Sequence, residues 1–197
     1  MRSVLFLLLA AATPLTAFDF TLHSREIPLG EGAVIRRTYF KDGDRCYAFH
    51  PGESVDLAAE AERATFRFRN LHGATLLLTQ SPFTPEKAFT QENLPSYRES
   101  ALKHAPAGVL EIIDESDEEG VLRINDWHSH RWVFTYKLPG QTIRQSVTFL
   151  NLTPKRQIVV VVTAFASEFK EAEAAALGIL HSWHPMEAAE LMKPLDS

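Results

Sequence analysis

The sequence predicts an α+β fold: an antiparallel β-sheet meander with a helix inserted after the early strands and a C-terminal helix packed on the sheet. Three observations carry this. Most strand-like runs follow one another through short turn signals, and strands joined so tightly pair antiparallel, because parallel strands need a crossover of a dozen or more residues. The aliphatic run Ile158-Val159-Val160-Val161-Val162 is apolar on both faces. A single apolar stripe at helical spacing follows it, before Pro185.

The chain opens with Met1-Arg2-Ser3, the apolar run Val4 to Ala12, and Thr13-Pro14-Leu15-Thr16-Ala17. A short basic end, an apolar core and a small residue before the cut are the parts of a secretory signal peptide. The run is too short for a membrane span, which takes roughly 20 apolar residues. Residues 1–17 are therefore expected to be a signal peptide, cut after Ala17 or alternatively after Ala12. Residues 18–197 then form a single α+β domain, with N-terminal strands in 18–62 and the core in 63–184. No cysteine follows either cut to receive a lipid.

Val34 to Phe40 and Arg45 to His50 flank Lys41-Asp42-Gly43-Asp44, where Asp-Gly marks a hairpin. Glu53 to Glu62 is rich in Ala and Glu and reads as a short helix or a loop. Ala64, Phe66 and Phe68 alternate with Thr65, Arg67 and Arg69, the pattern of a half-buried strand, and Ala74 to Gln80 is another strand. Thr84-Pro85-Glu86 combines an N-cap, a first-turn proline and an acid at the positive end of the dipole, so a helical region starts there. Pro95 interrupts it, and it ends near His104.

Five strands are expected next: Val109–Glu115, Val121–Asn125, Arg131–Lys137, Thr142–Leu150 and Gln157–Ala166. The acidic run through Ser116-Asp117-Glu118-Glu119-Gly120 reads as a solvated hairpin turn, since its spacing does not match a calcium loop. Asn151-Leu152-Thr153, which has the form of a glycosylation sequon, reads first as a turn before Pro154. A strand buried on both faces belongs at the sheet centre or beneath cover on each side, which places Ile158–Val162. Ser167 then caps the closing helix, whose stripe is Phe169, Ala176, Leu180 and Trp183.

In this order of elements the chain resembles the PsbP-like fold family, with its Mog-type and DcrB-type members, over about residues 45–184. Tyr47-Ala48-Phe49-His50-Pro51 is similar to the family's opening run, and Trp132-Val133-Phe134-Thr135-Tyr136 to its central aromatic strand. The tryptophan that often follows the opening proline is absent. The resemblance implies a non-catalytic binding or assembly protein.

Composition narrows the function classes. The formal net charge is −5, and −6 once Arg2 is removed with the signal. Nucleic-acid affinity comes mainly from Lys and Arg on phosphates, so nucleic acid is not an expected partner. One cysteine, Cys46, excludes an internal disulfide and reads as a small core residue. No nucleophile elbow, zincin helix, phosphate loop or Cys pair is present, and Ser129 has no sequence signal of activation.

The histidines form the one sharp constellation. His128-Ser129-His130 would align two imidazoles with Trp132 if extended, and His181-Ser182-Trp183-His184 would place two on neighbouring helical turns. Strand directions bring both pairs to one end of the sheet, beside Asp126. Imidazole suits zinc or copper, so a metal site at His128, His130, His181 and His184 is an alternative to the ordinary reading of solvated helix-end and loop histidines. Trp127 is the candidate partner surface. The favoured reading is an exported non-catalytic binding or assembly module, periplasmic or secreted, not membrane-spanning, with no required cofactor and with an unknown protein or small ligand as partner. A periplasmic metal-binding protein is the alternative, and a hydrolase with an unrecognised site the weaker one.

Overall fold

The computed structural model describes residues 17–30, 33–83, 89–120, 122 and 124–192, so the expected signal peptide, Ala17 apart, lies outside the described residues. Among them, eleven strands form two antiparallel sheets. The larger is ordered β4 (Val55–Glu60), β5 (Arg63–Phe68), β6 (Thr75–Gln80), β10 (Arg156–Phe165), β9 (Gln141–Thr153), β8 (Ser129–Leu138) and β7 (Glu111–Glu119). The smaller is ordered β1 (His23–Gly30), β2 (Ala33–Asp42), β3 (Arg45–Phe49) and β11 (His184–Glu187).

β10 is the middle strand of seven, and its side chains alternate between two cores. Ile158, Val160, Val162 and Ala164 join one core with Phe169, Ala172, Ala176, Ile179 and Leu180 of α2 (Phe169–His181) and with Phe40, Tyr47 and Phe49 of the smaller sheet. Val159 and Val161 face the other, with Trp132, Phe134, Tyr136, Val147 and Phe149, beneath Tyr97 and Ala101 of α1 (Leu94–Leu102). The registers Trp132↔Val147, Phe149↔Val159 and Val161↔Leu77 align these rows across the sheet. Burial of each such side chain contributes about 1.5–3 kcal/mol, which is why one strand can hold both layers on the sheet.

Trp183, two residues past α2, is 2% exposed and touches five aromatic rings, those of Phe18, Phe40, Tyr47, Phe49 and Trp127. It joins the N-terminal segment, both central strands of the small sheet and the loop before β8. Beneath α1, Tyr136 Oη donates to Gln145, whose amide donates to Thr163 Oγ1 and to the carbonyl of His104.

Three expectations are corrected, and a fourth lies outside the described residues. Glu53 to Glu62 holds strand β4, because Val55, Leu57 and Ala59 alternate toward the core while β5 pairs alongside. The expected helix start at Thr84–Glu86 lies outside the described residues, and in α1 Pro95 stands in the first turn, where its missing N–H costs nothing. The acidic run lies in the edge strand β7 and not in a turn, and the expected strand Val121–Asn125 falls partly outside the described residues. Its carboxylates stay exposed and pair with cations or a histidine: Glu111 with Lys137, Glu115 with Arg98, Asp117 with His130 and Glu118 with Arg131. The closing helix ends at His181, and His184 and Pro185 belong to β11, paired with Ala48 and Tyr47 of β3.

Replacing Trp183 by alanine is expected to cost about 3–5 kcal/mol, read as a lower urea midpoint, because the ring leaves a cavity shared by five neighbours. Burial holds the His104 imidazole below its ordinary pKa of 6.5. The native state therefore binds fewer protons than the unfolded state just below that value. Stability is complete above pH 6.5 and is lost as pH falls from there toward the depressed folded value. Urea melts at pH 7.5 and 5.5 should show that loss, and a His104→Gln variant should show a smaller one.

Candidate functional site

α2 turns Ala172, Ala176, Ile179 and Leu180 to the core, and that choice decides which residues occupy its neighbouring flank. Positions Glu171, Ala175, Gly178 and Ser182 recur at spacings of four, three and four and line one wall of a groove. The opposite wall is the Pro51–Ser54 loop between β3 and β4, and the floor is Val55, Phe68, Leu71 and Ile179. The groove holds about 820 Å³, within the range of about 300–1,000 Å³ for small-ligand sites. Its width comes from the small side chains: a Cβ added at Gly178 would meet no atom within 4 Å.

Local hydrogen bonds set the groove's shape. The backbone N–H of His50 donates to Ser182 Oγ at 2.8 Å, and the hydroxyl donates onward to the carbonyl of Ile179 at 2.6 Å. One serine thus ties the loop to the end of α2. Gly52 turns the loop with φ +84°, a conformation that favours glycine, and its N–H donates to His50 Nδ1 at 3.3 Å. With Ser182 bonded to backbone and His50 to Gly52, the groove presents an apolar surface with a polar rim.

A second cleft of about 550 Å³ lies between α1 and β7, lined by Gln91, Leu94, Pro95, Arg98, Glu115, Ser116, Asp117 and Trp132. The Arg98–Glu115 ion pair spans it, so its charges are already matched within the chain.

The paired histidines are brought together only in part. Asn125 Nδ2 donates to the carbonyl of Trp183 and the Trp127 ring lies 6.3 Å from that of Trp183, so the segments carrying His128 and His184 are neighbours. His130 and His181 lie on opposite sides of the sheet. His130 is 5% exposed on the α1 side of the sheet, with its ring 4.2 Å from that of Trp132 and Nε2 3.3 Å from Asp117 Oδ2. His128 is exposed before β8, and its carbonyl accepts from Asn151. His181 is exposed on the other side of the sheet, at the end of α2, with Nδ1 bonded to the carbonyl of Leu177 at 2.8 Å. His184 is exposed on β11. Among the described residues no three of His, Cys, Asp and Glu form a group that could hold a metal ion. Asp126 is exposed at φ 58° in the loop before β8. The distance between His130 and His181 has a topological cause: α2 packs on the face of the sheet opposite to the one His130 occupies.

Trp127 is half-buried, with its ring 6.1 Å from Tyr47 and 6.3 Å from Trp183, at the margin of the larger core. Ser129 is buried, and its hydroxyl accepts the N–H of Leu122. Cys46 is fully buried, and burial pushes its thiol pKa up, away from the reactive thiolate. The groove itself escaped sequence reasoning. Its one sequence signal is Gly178, a glycine inside an otherwise alanine-rich helix, where such a residue costs about 1 kcal/mol against alanine.

No protein-family model matches the chain, and no curated protein matches it. Among solved structures it is similar to a Pseudomonas aeruginosa protein of unknown function, at TM-score 0.40 and 11% identity over 84% of this chain and 99% of that one. It is similar to LpqN, involved in cell envelope biogenesis of Mycobacterium tuberculosis, at TM-score 0.43 and 10% identity over 84% and 92%. It is also similar to the cyanobacterial PsbP of Synechocystis, at TM-score 0.40 and 12% identity over 89% and 98%.

Because no three such side chains group among the described residues, zinc or copper titration near neutral pH is expected to give the same isotherm for the native protein and a His128→Ala/His184→Ala variant. Stoichiometric binding lost in the variant would show that the four histidines do converge.

Proposed function

We propose that this protein is an exported, non-catalytic binding module whose ligand site is the groove between the Pro51–Ser54 loop and α2. The observation that carries the reading is the groove itself: about 820 Å³, with an apolar floor and a wall kept open by Ala175 and Gly178. Phe68 and Ile179 on its floor also belong to the larger core, so the surface offered to a ligand is held rigid. A rigid, preformed apolar site loses little entropy on binding. The reading of export rests on Met1–Ala17, with its basic start, apolar run and small residue before the cut. Among the described residues no helix is long and apolar enough to cross a membrane.

Gly178 allows a direct test. An alanine there fits the open space and is expected to raise stability by up to about 1 kcal/mol, since glycine weakens a helix interior. A leucine there would occupy the groove. The expected result is that Gly178→Leu keeps the native circular dichroism spectrum and binds Nile red at least tenfold more weakly than Gly178→Ala. Equal dye binding by both variants would put the site elsewhere, and no dye binding by either would remove the reading.

A further inference from the structure

We infer that the occupant of this groove is an extended polypeptide segment carrying an apolar side chain beside a lysine or arginine. The inference rests on the groove being the binding site, and adds the chemistry of what enters it.

Charge is the first observation. The lining includes two carboxylates, Glu53 and Glu171, and neither lysine nor arginine. Both glutamates are exposed, and neither has an ion-pair partner among the described residues. Elsewhere the fold answers many of its acids from within: Asp42 by Arg156, Asp56 by Arg69, Glu60 by Arg63, and Glu118 and Glu173 together by Arg131. An apolar floor beneath two unanswered carboxylates is complementary to an apolar group flanked by positive charge, and it disfavours an anionic lipid or a fatty acid.

The second observation favours a polypeptide over a small cationic amphiphile. Val55, on the groove floor, is the first residue of β4, and β4 is the terminal strand of the seven-stranded sheet. Its outer edge has no strand partner among the described residues. An edge strand presents a row of unpaired N–H and C=O groups, and an extended peptide can add to it through main-chain hydrogen bonds while its alternate side chains enter a neighbouring pocket. A peptide laid along β4 thus reaches the floor at Val55 with one side chain and sets its flanking residues near Glu53 and Glu171.

The test uses the ¹⁵N-labelled protein and three capped five-residue peptides, in which leucine alternates with lysine, with glutamate or with serine. The lysine peptide is expected to shift the amides of Gly52, Ser54, Gly178 and Ser182 saturably. Its affinity should fall roughly fivefold in a Glu53→Gln/Glu171→Gln variant, since exposed ion pairs contribute little singly, and also as salt rises. If the serine or glutamate peptide binds as tightly as the lysine peptide, the charge assignment is overturned while the groove remains the site. If no peptide binds but Nile red still distinguishes Gly178→Leu from Gly178→Ala, the polypeptide assignment falls and the binding module stands. If neither peptide nor dye occupies the groove, both fall.

Discussion

The fold depends on one constraint: a strand whose two faces are both apolar must be covered on both sides. Ile158, Val160 and Val162 point one way and Val159 and Val161 the other, so no antiparallel sheet with one solvated face could hold β10. The structure meets this by placing β10 at the middle of seven strands and layering cover on each side. α1 and its flanking aromatics cover the row around Trp132 and Phe149. α2 and the four-stranded sheet share the other face, which makes the larger core a junction of three elements.

That junction also makes the groove. Two elements of different shape cannot cover one sheet face without a seam, and the seam lies where the β3–β4 loop approaches α2. Larger side chains on the flank of α2 would close it, but the residues there are Ala175 and Gly178. Trp183 closes the seam at the helix end, packing against Phe40, Tyr47 and Phe49 while Ser182 tethers the loop. The two residues divide the work: Trp183 fills the interior side and Ser182 holds the mouth in shape. Site and core are therefore built from consecutive positions of one short segment.

Electrostatics explains the acidic run. As a free turn, Ser116–Gly120 would carry its charge into water. As the edge strand β7 it sets carboxylates beside Lys137, Arg98, His130 and Arg131, at positions that only pairing with β8 and proximity to α1 and α2 create. Exposed pairs of this kind contribute little singly, typically about 0–1 kcal/mol, but charged side chains on a sheet edge also discourage pairing with foreign strands. β4, at the opposite edge, carries Asp56 and Glu60 on its exposed side, paired with Arg69 and Arg63, and Val55, Leu57 and Ala59 toward the core.

What the sequence by itself determined is what short-range pattern encodes. Alternation marked β5, the Asp-Gly pair marked the β2–β3 hairpin, the two-faced run marked the central strand, and the apolar stripe marked α2. Each follows from chain geometry over a few residues. Where local cues were ambiguous or opposed by partners, only tertiary structure decided. Glu53–Glu62 became a strand because β5 lay alongside, the acidic run became a strand because cations lay across it, and His184 left the helix because β3 offered a backbone to pair with. The candidate sites show the same division. The histidine pairs were visible as spacing, but their meeting depended on which sheet face α2 covers, a choice that no local pattern records. The groove involves residues more than 120 positions apart, from His50 to Ser182, so no local spacing could announce it; it exists only because packing brings those two segments together around open space.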